Sequence, residues 1–144
     1  MSFFSLKMRC FLFVWGLVML FLSAVATYAG ISSVLGYISF PPVVVYSTGM
    51  VALFFSFFIV LPLSLAGFYS SLKGVRLPEH ESRLLFKLFM GVFVFSVLFS
   101  FSFKLFYVSM LRNNDYIVCK GIPSGWMPGM ATRYAINDVL CHKS

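Results

Sequence analysis

From residue 10 to residue 72 the chain contains no Asp, Glu, Lys or Arg. A charge-free run of this length holds two spans of about 20 apolar residues, each enough to cross a hydrocarbon core of about 30 Å. A soluble fold of 144 residues leaves much of its surface in water, where apolar patches drive association. Here 60% of the residues are apolar, 19% aromatic and only 10% charged, whereas soluble domains carry about 25% charged residues. The expected fold class is therefore an all-α membrane protein: three transmembrane helices plus a small disulfide-closed periplasmic C-terminal tail.

The formal net charge of +7 would suit nucleic acid if Lys and Arg were gathered on one solvated face or in a tail. They instead flank the apolar segments, as charges that set membrane topology do. Nucleic acid is not an expected partner, and membrane lipid is.

Hydropathy predicts spans over 10–29, 43–69 and 84–107, forming a bundle over 1–111, with a separate tail over 112–144. The first span follows Lys7 and Arg9 and carries the small-residue run Ser23, Ala24, Val25, Ala26, which also fits a cleaved secretory signal. Its apolar stretch exceeds the usual signal core, so a retained span is expected. Between the first two spans, Pro41 and Pro42 mark the outer connection, because consecutive prolines end helical structure. Pro62 falls inside the second span, where lipid-embedded helices tolerate it.

A polar loop over 70–83 follows, and the third span has Lys87 and Lys104 near its ends. The rise between them is about 24 Å at 1.5 Å per residue, and both stems can snorkel to the headgroups. Lys7, Arg9, Lys73, Arg76, Arg83 and Lys87 lie on one side, which the positive-inside rule assigns to the cytoplasm. This predicts a multi-pass membrane protein with the N-terminus cytoplasmic and the C-terminus on the opposite side.

In that orientation Cys119 and Cys141 lie in an oxidising compartment and are expected to pair, while Cys10 remains a thiol. The alternatives are a reduced pair in a packing role or a zinc site, for which His142 alone is close by and four ligands are wanted. Residues 116–118 and 132–136 have strand character, and Pro and Gly turns lie between them, so the tail reads as a two-stranded flap pinned to the third helix.

The acids Glu79, Glu81, Asp115 and Asp138, and the histidines His80 and His142, divide between the two sides. They assemble no catalytic set, and no metal or other cofactor is implied. Phosphate-binding glycine loops are missing too. What remains is a stripe on the third span, Ser96, Ser100, Lys104 and Tyr107, spaced to share one helical face. It either meets a partner or polar cavity, or its serines bond their own helix while Lys104 snorkels. Gly16, Ser23, Thr27 and Gly30, and likewise Gly49, Ala52 and Ser56, form small-residue seams that let helices approach closely. In the tail, Trp126, Arg133 and Tyr134 are of types enriched at binding hot spots.

The ending Tyr116-x-x-Cys119, followed by Pro and Gly turns, Tyr134, Asp138 and Leu140-Cys141, resembles that of an uncharacterised family of short enterobacterial inner-membrane proteins. Its members are similar in length and in having about three apolar spans. The resemblance implies no enzymatic activity. In size and topology, such proteins are similar to small immunity proteins that protect bacteria from toxins acting on their own inner membrane. The expected function is thus binding: neutralising a pore-forming or membrane-targeted protein toxin. An accessory or structural subunit of a transport or secretion complex is the alternative, and a small oligomeric channel is a weaker third reading.

Overall fold

The computed structural model describes residues 4–121, 123 and 131–142. The order of elements is α1 (Leu6–Ile38), β1 (Val43–Ser47), α2 (Thr48–Leu53), α3 (Ser56–Lys73), α4 (Glu79–Asn113), β2 (Ile117–Val118), β3 (Ala131–Ala135) and α5 (Asp138–His142). Three of these, α1, α3 and α4, are long and apolar enough to cross a membrane. Phe11, Leu22 and Leu35 on α1, and Phe86, Leu98, Phe101 and Phe106 on α4, are among many large apolar side chains left exposed. That exposure is stable only against lipid, so the chain is read as a multi-pass membrane protein.

The helices group into two compact units: one of Met1–Tyr28 with Phe54–Ser96, the other of Ala29–Leu53 with Val97–Ser144. In the first, α1 and α3 run antiparallel, and α1 supplies the missing partners at both ends of α3. A helix leaves its first N–H and last C=O groups unpaired, and in lipid such groups find no water. At the start of α3, the Phe57 N–H donates to Thr27 Oγ1 at 3.0 Å, and Ser56 Oγ donates to the Ser23 carbonyl at 3.0 Å. At its end, Arg9 Nε and Nη2 donate to the carbonyls of Ser71 and Leu72 at 2.6 and 2.7 Å.

The spacing explains why two side chains on one helix serve both ends of another. Arg9 and Thr27 are 18 positions apart and α3 has 18 residues, so each distance is about 27 Å. Between these clamps Phe68 lies over Gly16, where an added Cβ would come within 2.9 Å of the ring. The seam predicted at Gly16, Ser23 and Thr27 therefore holds α1 to α3.

In the second unit the structure departs from the hydropathy reading. Residues 43–53, grouped there with the second span, form β1 and the short α2, and the crossing helix begins at Ser56. The run Val43-Val44-Val45-Tyr46 is β-branched and aromatic, composition that favours a strand when a partner is present. β1 pairs antiparallel with β3, Val44 opposite Tyr134, and β2 pairs with the other edge of β3, giving the order β1-β3-β2. The predicted two-stranded flap is thus a three-stranded sheet. The tail over 112–144 is not a separate domain, because it shares its unit with Ala29–Leu53. The first outer connection is also shorter than expected: α1 continues to Ile38 before the chain turns through Phe40, at φ +46°.

Candidate functional site

The second unit is built around aromatic rings drawn from three elements. Tyr37 of α1, Tyr46 of β1 and Tyr107 of α4 have ring centroids 5.2 to 5.5 Å apart, within the range of favourable aromatic pairs. Phe103 and Phe40 extend the cluster, 5.7 and 5.9 Å from Tyr107. Val44, Val51 and Leu111 fill it out, each almost fully buried.

The hydroxyls of Tyr107 and Tyr116 bond backbone carbonyls where α1 ends. Tyr107 donates to the Tyr37 carbonyl at 2.8 Å, and Tyr116 donates to the carbonyls of Phe40 and Pro41, both at 2.9 Å. The Tyr37 hydroxyl in turn accepts the Ser47 N–H at 3.1 Å. An amphipathic ring thus packs its face and caps with its tip. Tyr116→Phe is expected to cost about 1–3 kcal/mol, the range for leaving a buried acceptor short of its donor. Denaturant unfolding in detergent measures this, and a loss below a few tenths would show that the hydroxyl caps nothing.

Burial pushes the Tyr46 phenol up from 10.0 to about 12, with the nearby Thr48 hydroxyl acting in the opposite direction. Burial also raises Tyr134, partly offset by the charge of Arg112. Both acids prefer the neutral form when folded. The contribution of Tyr46 to stability is complete below about pH 10 and is lost as pH rises through its folded value near 12. A tyrosinate absorbance titration of the intact protein should show a high-pH step that Tyr46→Phe removes. Loss of amplitude near pH 10, with the high-pH step unchanged, would place Tyr46 in solvent.

Beyond α4 the chain is tied back at once. Tyr116 N–H donates to the Leu111 carbonyl at 3.0 Å, and Cys119 N–H to the Arg133 carbonyl at 2.9 Å. Cys119 and Cys141 form a disulfide across a separation of 22 residues, as expected, and Cys10 is a free thiol. The sheet is therefore held by the aromatic core on one side and by the disulfide to α5 on the other.

Residues 44–142 match a family described as a protein of unknown function, DUF1240. The chain belongs to that family. The DUF1240 match runs from β1 to α5 and so takes in all three strands and both disulfide cysteines. No curated protein and no solved structure matches the chain.

In this DUF1240 chain the stripe read from α4 splits. Ser96, Ser100 and Tyr107 are buried, 2%, 3% and 3% exposed, whereas Lys104 is exposed. At about 100° per residue the first three fall within about 40° of one another and Lys104 lies further round. Lys104 lines a shallow concavity of about 300 Å³ with Leu105, Val108, Ser109 and Arg112. Tyr134, expected at a binding surface, is instead a core residue at 6% exposed, because the inner face of β3 packs on the aromatic cluster. Arg133 is half-buried, and its Nη2 donates to the Leu140 carbonyl at 3.1 Å. Trp126 lies outside the described residues.

Four apolar side chains near the sheet stay exposed, close in sequence to the exposed polar residues Lys120, Asn137 and Asp138. Ile117 and Val118 on the edge strand β2, Ile136 after β3 and Val139 on α5 are 40% to 69% exposed. The sequence reading missed them, along with Tyr37, Tyr46 and Tyr116. A usable signal for the tyrosines was present, since Tyr is enriched where a span meets the interface. Among the described residues no three His, Cys, Asp or Glu converge to hold a metal ion.

Proposed function

We propose that this protein is an immunity-type binding protein of a bacterial inner membrane, with the N-terminus cytoplasmic and the stapled sheet on the periplasmic side. Its partner is a membrane-inserting protein toxin. The observation that carries the reading is the exposed apolar set Ile117, Val118, Ile136 and Val139 on a sheet held rigid by a disulfide and an aromatic core. Exposed apolar side chains on an edge strand favour association. A rigid mount lowers the entropy lost on binding.

Orientation draws on two supports. The Lys and Arg flanks favour an inside N-terminus, and a disulfide between Cys119 and Cys141 persists in an oxidising compartment. In this mechanism the open edge meets the toxin's inserted part and blocks the conducting pore, and Lys104 and Arg112 supply the polar rim.

Co-expression with toxins encoded beside the gene tests the proposal. Growth and membrane potential should be rescued by the wild type, and Val118→Asp should abolish rescue at an unchanged membrane level. Failure to rescue from every such toxin would refute it. Copurification with resident transport or secretion components in a toxin-free cell would favour the accessory-subunit alternative.

A further inference from the structure

On one flank of the α1–α3 seam is a concavity of about 350 Å³ walled by Leu6, Phe13, Val14 and Leu72, with Arg9 also in its lining. Arg9 is held in place by the carbonyls of Ser71 and Leu72, and Ser71 Oγ donates back to the Arg9 carbonyl at 2.7 Å. Two of the five guanidinium donors are used by those carbonyls. Among the described residues the one ion pair is Arg83–Glu79, so Arg9 has no carboxylate partner.

The surrounding charge has the same sign. Lys7 shares a flank of α1 with Cys10 and Val14, at spacings of three and seven residues. Lys73 closes α3, and Arg76 follows its Gly74 cap. In this unit Lys7, Arg9, Lys73, Arg76, Arg83 and Lys87 face only Glu79 and Glu81, six positive charges less two negative, or +4. Lys7 and Lys73 lie within two residues of a helix end and Arg76 beyond one, while Arg9, Arg83 and Lys87 lie within the first turns of α1 and α4.

A fixed cation above an apolar trough complements a molecule with an anionic head and a hydrocarbon chain. We infer that this flank is a binding site for an anionic phospholipid, the phosphate lying against Arg9 and Lys7 and one acyl chain lying along Phe13, Val14 and Leu72. Basic pockets between transmembrane helices recognise anionic headgroups in this way. The site is independent of the sheet and of toxin binding, and requires only that α1 and α3 span a membrane.

Native mass spectrometry of the intact protein in detergent, titrated with phosphatidylglycerol or phosphatidylcholine of matched chains, tests the site. Phosphatidylglycerol should be retained roughly thirtyfold more strongly, as two basic contacts warrant. Lys7→Gln should lower that preference, and Val14→Trp, at an exposed position that folding does not need, should reduce retention by filling the trough. Arg83→Gln, away from the trough, should change little. Equal retention of the two lipids, or a preference untouched by both Lys7→Gln and Val14→Trp, would overturn the assignment. Displacement of phosphatidylglycerol by millimolar inorganic phosphate would also overturn it, by showing that the head alone is bound.

Discussion

Serine at both Cys119 and Cys141 is expected to speed proteolysis of the segment over 131–142 by about a hundredfold, with the spans left intact. In the chain-entropy account, closing a loop of 22 residues is worth about 3 kcal/mol. Each 1.4 kcal/mol is a tenfold change in the open population that a protease samples. The effect should be large because β2 has two residues and α5 five, too few to hold themselves in place. Limited proteolysis of the detergent-solubilised protein, with and without reductant, measures it, and Cys10→Ser serves as the control. Unchanged cleavage after reduction would mean that the aromatic core alone holds the sheet. Labelling of Cys119 and Cys141 as thiols from the cytosol would contradict the proposed orientation.

Leu111→Ala should be the most damaging single truncation, at about 2–5 kcal/mol, the range for a fully buried leucine. Leu111 is 0% exposed and packs with Tyr107, Tyr116 and Val44. Its carbonyl also accepts the Tyr116 N–H, so a cavity there loosens the residue that caps α1. The comparison that gives the number meaning is Leu105→Ala, six positions earlier on α4 and 72% exposed. In lipid that side chain exchanges one apolar neighbour for another, and its truncation should cost a few tenths of a kcal/mol. Denaturant unfolding of both variants in detergent gives the ratio. Equal losses would mean that Leu111 is not in a packed core.

Three spans were legible because hydropathy summed over a helix needs no knowledge of what the helix touches. The cysteine pair was legible as two cysteines flanking a loop without others, and β3 through the strand formers Thr132, Tyr134 and Ile136. The strand at Val43-Val44-Val45-Tyr46 was misread, because four apolar residues beside an apolar helix carry no mark of their own period. What makes them a strand is β3, about 90 residues later, supplying the ladder hydrogen bonds. The candidate binding residues fared unevenly for a related reason: Tyr occurs at hot spots and in cores alike, and here Tyr107 and Tyr134 went to the core.

The amino-acid sequence by itself determined the solvent. A charge-free stretch between Arg9 and Lys73 commits the middle of the chain to lipid, because burying so many apolar side chains in a small water-soluble domain is not possible. Which side chains satisfy the helix ends was decided by tertiary structure alone. Thr27 and Arg9 serve α3, and Tyr107 and Tyr116 serve the end of α1, because in a medium without water every unpaired backbone group is satisfied by whichever donor or acceptor packing brings within reach.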